Sequence, residues 1–220
     1  MVTGPDILGR VSDADLPGPA YRIVTSRTVV RCWSPVDAPL LDAAIRDNLA
    51  HLRPWMPWAH QEPQTLEQRM SLLRMIRGQF DLGQDYVYGI FDRDETRVIG
   101  GTGLHLRVGP DAREIGYWIA KDCEGKGMTS ELVGALTRVA FEIDRIVRVE
   151  IRCDPENARS AAVPRRLGYT HEGTLRQRLQ TTGDRRADAM IWCLLAEEYP
   201  TSPSASASLE AFDAVGRRLL

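Results

Sequence analysis

The sequence predicts an α/β domain of the α+β type: a central, twisted, mixed but mostly antiparallel sheet of six to seven strands, flanked by about four helices. Three observations lead there. Seven short runs rich in β-branched and aromatic residues are separated by turn formers, four longer stretches repeat apolar residues at helical spacing, and one strand runs through a glycine loop straight into a helix. With 220 residues, 43% hydrophobic and 26% charged, the chain suits one large domain with short appendages.

Residues 1 to 20 carry Gly4, Pro5, Gly9, Pro17, Gly18 and Pro19, which break helix and strand alike, and are expected to be a flexible lead-in to a domain spanning 21 to 199. Thr28-Val-Val-Arg-Cys-Trp33 alternates as a first strand, and Asp37 to Leu52 places Leu40, Leu41, Ala44, Ile45 and Leu49 on one helical stripe. Leu52-Arg-Pro-Trp-Met-Pro-Trp58 cannot be helix interior, because Pro54 and Pro57 each remove a backbone donor. This aromatic loop reads either as a packed corner or as one wall of a substrate site. Thr65 to Leu82 follows as a second helix with Leu66, Met70, Leu73, Ile76 and Phe80 on its apolar face.

Tyr86 to Asp92, Val98 to Arg107 and Glu114 to Ala120 form an antiparallel meander, punctuated by Asp92-Arg-Asp94 and Gly109-Pro-Asp111. Gly100-Gly-Thr-Gly103 inside the second of these strands marks a bulge or close packing. Met128 to Ile143 is a third helix, Val147 to Cys153 a strand, Asn157 to Leu167 a fourth helix ended by Gly168, and Tyr169 to Leu179 and Ala187 to Leu195 close the sheet. Beyond Pro200 a Ser-rich linker leads to Leu209, Phe212, Val215 and Leu219, which could form a short C-terminal helix, frayed or docked.

A net charge of -2 gives no general attraction to nucleic acid, and the basic pair Arg145 and Arg148 reads as a solvated face. No apolar stretch approaches the about 20 residues that cross a bilayer, and Met1 to Ala20 lacks a basic region before an apolar core, so a cytoplasmic protein without membrane association is expected. Cys32, Cys123, Cys153 and Cys193 are far apart and read as free thiols; the four histidines show no metal-ligand spacing, so metal-free chemistry is expected.

In Ala120-Lys-Asp-Cys-Glu-Gly-Lys-Gly-Met-Thr-Ser130, glycines two residues apart join strand to helix. Glycine lets the backbone approach a ligand, and the first amides of the helix have no internal acceptor, so the loop is either a simple turn or a pyrophosphate cradle. A P-loop is excluded because no upstream glycine stands at the right distance before Lys126, and a dinucleotide fingerprint because its third glycine position is Ser130.

The runs Arg113-Glu-Ile-Gly-Tyr-Trp-Ile-Ala120, Glu124-Gly-Lys-Gly-Met128, Arg148-Val-Glu-Ile-Arg-Cys153, Asn157-x-x-Ser160 and Arg166-Leu-Gly-Tyr169 resemble the GNAT acyltransferase superfamily. The opening strand, the tryptophan loop and Glu172-Gly-Thr-Leu-Arg176 are similar to its RimL/RimJ branch, which acetylates protein N-termini. The resemblance covers Tyr21 to Tyr199. It implies the GNAT fold, acetyl-CoA or another acyl-CoA as co-substrate with no metal, a primary amine of a protein N-terminus or a small molecule as acceptor, and direct attack in a ternary complex. A homodimer is a further implication. The alternative is an acyl-CoA sensor with little turnover.

Carried over by position, the resemblance places acyl-CoA where the fourth and fifth strands splay apart. The backbone of Trp118, Ile119 and Ala120 would meet the pantetheine arm and thioester carbonyl. Glu124, Gly125, Lys126, Gly127, Met128 and Thr129 would surround the pyrophosphate, with Asn157 and Ser160 as further cofactor contacts. Trp55, Trp58, Tyr88 and His105 are the candidates for the acceptor pocket. The tyrosine acid of many relatives falls on Pro164 and the carboxylate suggested as base in this branch on Leu179, so neither transfers. Ser160 is then a candidate acid or a CoA contact, and Glu114 a candidate base or an ion-pair anchor for the first two helices. Cys153 matches a cysteine near the thioester, where a buried strand thiol is normally inert.

Overall fold

Alternation of inward and outward side chains organises the chain into strands β1 (Arg22–Val24), β2 (Thr28–Cys32), β3 (Tyr86–Asp92), β4 (Val98–His105), β5 (Ala112–Ile119), β6 (Arg148–Cys153), β7 (Thr170–Gln180), β8 (Arg186–Leu195) and β9 (Glu210–Phe212). They form one sheet in the order β7-β8-β6-β5-β4-β3-β2-β1-β9. The computed structural model describes residues 18–180 and 186–220, so most of the expected lead-in, residues 1–17, lies outside the described residues. Neighbouring strands are antiparallel except β5 and β6. All seven expected strands are present. β1 and β9, three residues each, are too short to show a period of their own.

Four helices cover the sheet: α1 (Ala38–Leu52), α2 (Leu66–Asp81), α3 (Met128–Glu142) and α4 (Ala158–Arg166). Thr65 caps α2 reciprocally, its Oγ1 accepting from the Gln68 amide while Gln68 Oε1 accepts from the Thr65 amide. Asn157 caps α4 by accepting from the Ser160 amide at 3.0 Å. The strand period of two sends Val29, Phe91 and Val98 to one face with Leu41, Ile45 and Leu73 of α1 and α2. Val30, Ile90, Ile115 and Val149 go to the other, with Leu132, Leu136 and Val139 of α3.

Two expectations need correction. On α2, Leu66 and Met70 are exposed, while Arg69 is 1% exposed and paired to the buried Glu62 at 2.8 Å. The helix is rotated because a guanidinium that finds a carboxylate can be buried where apolar spacing alone would keep it out. Beyond Pro200 the chain is neither a free linker nor a helix. Tyr199–Thr201 and Pro203–Ser206 form two 3-10 turns; Ser204 donates to the Leu167 carbonyl at 2.9 Å, and Arg138 of α3 donates to the Ala207 carbonyl at 2.8 Å. Glu210–Phe212 then pairs with β1 as β9. The exposed edge of β1 offers backbone partners that a short helix would not use, and Leu209, Leu219 and Leu220 still reach the core.

Glu62 holds Arg69 in place with Asp42 as a more distant counter-charge at 3.8 Å. Glu62→Ala is expected to lower unfolding free energy by about 3 kcal/mol in a urea titration, because a buried cation loses its close partner. A loss below about 1 kcal/mol would remove the pair from the fold's determinants.

Candidate active site

β5 and β6 are held in parallel register for three residue pairs, Ala112↔Arg148 to Glu114↔Glu150, and then separate. Each stays tied to its outer neighbour: β5 to β4 as far as Ile119, and β6 to β8 as far as Cys153. A wedge opens between them, bordered by a β5 edge that has no strand partner on that side. The Ala120 amide donates to the Ile99 carbonyl at 2.8 Å, so by alternation the peptide groups of Tyr117 and Ile119 turn towards the wedge. Of the expected backbone contacts, Ile119 is therefore placed to pair with a ligand. The Trp118 peptide groups face β4, and Ala120 is fully buried with its donor already committed, which corrects both expectations.

At one end the wedge meets the glycine loop. Gly125 and Gly127 have φ of 70° and 75°, left-handed values that favour glycine, and Gly127 is the N-cap of α3. The Glu131 amide bonds the Gly127 carbonyl, leaving the amides of Met128, Thr129 and Ser130 without acceptors inside the helix. Arg27 steadies the loop by donating to the Lys126 carbonyl at 2.6 Å and to Glu131 at 2.7 Å. Glu124 is ion-paired to Arg159 at 2.6 Å, with the His51 ring 3.6 Å away, so its charge is met by a cation beside the loop.

At the other end lies a cavity of about 720 Å³. Its lining includes Trp118, Asn157 and Ser160 but not Ile119, Ala120 or the loop from Glu124 to Thr129, so the expected cofactor residues divide between the cavity and the loop beside it. Trp55 and Trp58 form a wall, with the Trp58 ring 6.0 Å from that of Trp118; the tryptophan loop is a wall as well as a corner. Tyr88 reaches the lining, yet it is 1% exposed and packs edge-on against Phe80 at 5.1 Å. Its placement is that of a core tyrosine, which corrects its expected role as a pocket residue.

Ser160 Oγ lies 3.1 Å from the Tyr117 hydroxyl. Burial raises the Tyr117 phenol well above its usual range despite that contact, so Tyr117 keeps its proton. Burial also pushes the Cys153 thiol up, against weaker opposing hydrogen bonds from Trp192 and Ser160. Cys153 is thus a protonated and poorly nucleophilic thiol.

Glu114 is 5% exposed, and Arg107 clasps it by donating from Nε at 3.0 Å and from Nη2 at 2.5 Å; Arg152 Nε stands 3.6 Å away. This is an ion-pair anchor, but to Arg107 and Arg152 and not to the first two helices. Directly across the β4–β5 ladder sits His105, whose Nδ1 lies 2.8 Å from Asp85 Oδ2. Burial works to raise the Asp85 pKa, but the hydrogen bond and charge of His105 and the amides of Leu106 and Tyr86 outweigh it and hold the carboxyl below its usual range.

The β4 glycines make room for these groups. A Cβ on Gly101 would lie 2.5 Å from the Trp118 indole nitrogen, and one on Gly103 would lie 2.6 Å from His105 Nε2. Asp85, Arg107, Arg152 and Tyr117 escaped sequence reasoning. Their partners are 20, 7, 38 and 43 residues away, and only the strand register brings them together.

A parallel pair that splays beside a left-handed glycine loop at a helix N-terminus defines a transferase that takes a phosphate-bearing carrier in an extended groove. An acetyltransferase (GNAT) domain model matches residues 27–170, and the chain belongs to this family of acyl-CoA-dependent N-acetyltransferases. It is 30% identical over 186 residues to the ribosomal protein uS5-alanine N-acetyltransferase of Escherichia coli (strain K12), covering 82% of this chain and 94% of that protein. Among solved structures it shares the fold of Mycobacterium smegmatis RimJ in complex with CoA-disulfide, with a TM-score of 0.72 at 23% identity over 81% of this chain and 86% of that one. It also shares the fold of the microcin C7 self-immunity acetyltransferase MccE in complex with acetyl-CoA and AMP, with a TM-score of 0.71 at 19% identity, covering 78% and 93% of the two chains.

Because the His105 imidazole lies over Gly103, Gly103→Ala is expected to displace it and cut turnover at least about tenfold while the fold persists. Circular dichroism and steady-state kinetics check this; wild-type turnover would show that the close approach has no catalytic consequence.

Proposed function

We propose that this enzyme transfers acetyl from acetyl-CoA to the α-amino group of a protein N-terminus, with a ribosomal protein as the substrate class. The observation that carries the reading is the wedge between β5 and β6, which runs from the Gly125–Gly127 loop to the open, tryptophan-walled cavity. Support for the protein substrate comes from the near full-length similarity to the uS5-alanine N-acetyltransferase.

In this reading the amides at the start of α3 hold the pyrophosphate, and Gly125, Lys126, Gly127, Met128 and Thr129 contribute backbone there rather than reactive side chains. The β5 edge at Tyr117 and Ile119 pairs with the pantetheine arm and orients the thioester; such preorganised donors are worth about 3 kcal/mol in acyl transfer. Ser160, backed by the neutral Tyr117 hydroxyl, hydrogen-bonds the thiol end and can protonate the departing sulfur. Asn157 acts by capping α4 and so fixing Ser160. Trp55 and Trp58 receive the acceptor. Glu114, with each oxygen accepting from Arg107 and Arg152 close by, is engaged as an ion-pair partner, and its part is to hold Arg107 and Arg152 and to set the charge of the cavity. The homodimer implied by the resemblance and the cytoplasmic location expected from the sequence belong to this proposal and are checked by analytical ultracentrifugation and fractionation. Among the described residues no helix is long and apolar enough to cross a membrane.

Acetyl-CoA should raise the melting temperature, since a ligand at a hundredfold excess over its Kd contributes about 2.7 kcal/mol. Thiol release should follow on adding peptides that carry ribosomal-protein N-termini. Turnover confined to small-molecule amines would overturn the protein-substrate assignment. Gly127→Val should weaken acetyl-CoA binding in the same assay, because φ of 75° strains a β-branched residue. Cys153→Ala should retain turnover; loss of activity together with an acylated wild-type protein on mass spectrometry would establish a covalent route instead.

A further inference from the structure

The acceptor amine reaches the cleft as an ammonium and must lose a proton before it can attack, yet neither Pro164 nor Leu179 can take part in proton transfer and Glu114 is clasped by arginine. Among the groups that line the cavity, which include the carboxylates of Glu62 and Asp154, the His105 imidazole stands directly across the ladder from Glu114. The geometry points to His105, oriented by Asp85, as the general base that deprotonates the acceptor amine, an inference that rests on the acyl-transfer reading above.

The Asp85 carboxylate accepts at 2.8 Å and 3.1 Å from His105 Nδ1, which places a proton on Nδ1, so that in the neutral imidazole the lone pair belongs to Nε2. Among the described residues Nε2 has no hydrogen-bond partner. It lies over the β4–β5 ladder, close enough to Gly103 and Gly116 that a Cβ on either would come within 2.6 Å and 3.3 Å of it. The imidazole lines the same cavity as Trp118 and Ser160, and its side chain is 17% exposed, so it is held firmly yet open to the cleft. The charged groups around it are Asp85 ahead of β3, Arg107 after β4, Glu114 on β5 and Arg152 on β6, with Glu62, Arg69, Asp154 and Arg178 further along the cavity wall. Asp85 stabilises the imidazolium that forms, and the Arg107–Glu114 pair is internally neutralised.

The step balances without another reactant. Nε2 takes one proton from the ammonium, the freed nitrogen lone pair forms the bond to the thioester carbonyl carbon, and the carbon–sulfur bond breaks with its electron pair on sulfur. The second nitrogen proton is lost as the amide forms and one proton ends on the thiolate, giving coenzyme A thiol. The imidazolium returns its proton to water.

The test measures acetyl transfer to an amine that the wild-type enzyme acetylates, as a function of pH, for wild type, His105→Gln, His105→Ala, Asp85→Asn and Glu114→Gln. His105→Gln should lower kcat by about 10²- to 10³-fold, with acetyl-CoA affinity unchanged and the acidic limb of the wild-type profile replaced by a rate that keeps climbing as free amine accumulates. Added imidazole should restore part of the His105→Ala rate, which a packing role would not predict. Asp85→Asn should lose less, about tenfold, and Glu114→Gln should keep the acidic limb. If wild-type and His105→Gln profiles coincide, or if imidazole gives no rescue while Glu114→Gln abolishes the limb, the base is not His105. If wild type binds acetyl-CoA but acetylates no amine, the acyl-transfer reading falls and the base role with it.

Discussion

The structure turns on a parallel strand pair that is allowed to fail. β5 and β6 pair at Ala112 to Glu114 and then part, although each remains locked to an antiparallel neighbour. A buried backbone edge without partners costs about as much as the hydrogen bonds it lacks, so an extended, amide-rich ligand such as a pantetheine chain is the natural group to complete it. The wedge cannot close by the two strands sliding together, because β4 and β8 fix their registers. Packing of Leu132, Leu136 and Val139 on the sheet holds α3 with its N-terminus at the wedge.

The acceptor side is governed by thinness and charge. Glycines in β4 let Trp118 and His105 lie close to the sheet, where any side chain beneath would force them out. Ion pairs then sort the titratable groups: Glu114 is matched by Arg107 and Arg152, Glu124 by Arg159, and Asp85 by His105. An imidazole nitrogen without a hydrogen-bond partner among the described residues lines the cavity, and what remains protonated is the Tyr117–Ser160 hydroxyl pair and the Cys153 thiol. A base on one side and hydroxyl donors on the other is the arrangement that amine acylation requires.

Much of the fold is legible in the chain because periodicity is local. Alternation identified β2 to β8, helical stripes identified α1 to α4, and the paired glycines marked the loop that carries two left-handed residues. Local signals failed where a distant partner set the outcome. Arg69 reads as surface until Glu62 neutralises it, and Leu209 to Leu219 reads as a helical stripe until the open edge of β1 draws Glu210–Phe212 into the sheet.

The sequence by itself determined the order of the strands along the chain and the place of the glycine loop, since each is written in spacing between near neighbours, and its motifs carried the resemblance to the family. Tertiary structure alone decided which backbone groups face the wedge, that Ala120 is already bonded, that Tyr88 belongs to the core, and that Asp85 meets His105 while Arg107 meets Glu114. The physical reason is register. A shift of one residue between β4 and β5 would take Glu114 from its place opposite His105 and change which residues of the two strands meet, and no pattern within either strand states which residue of one lies opposite which residue of the other.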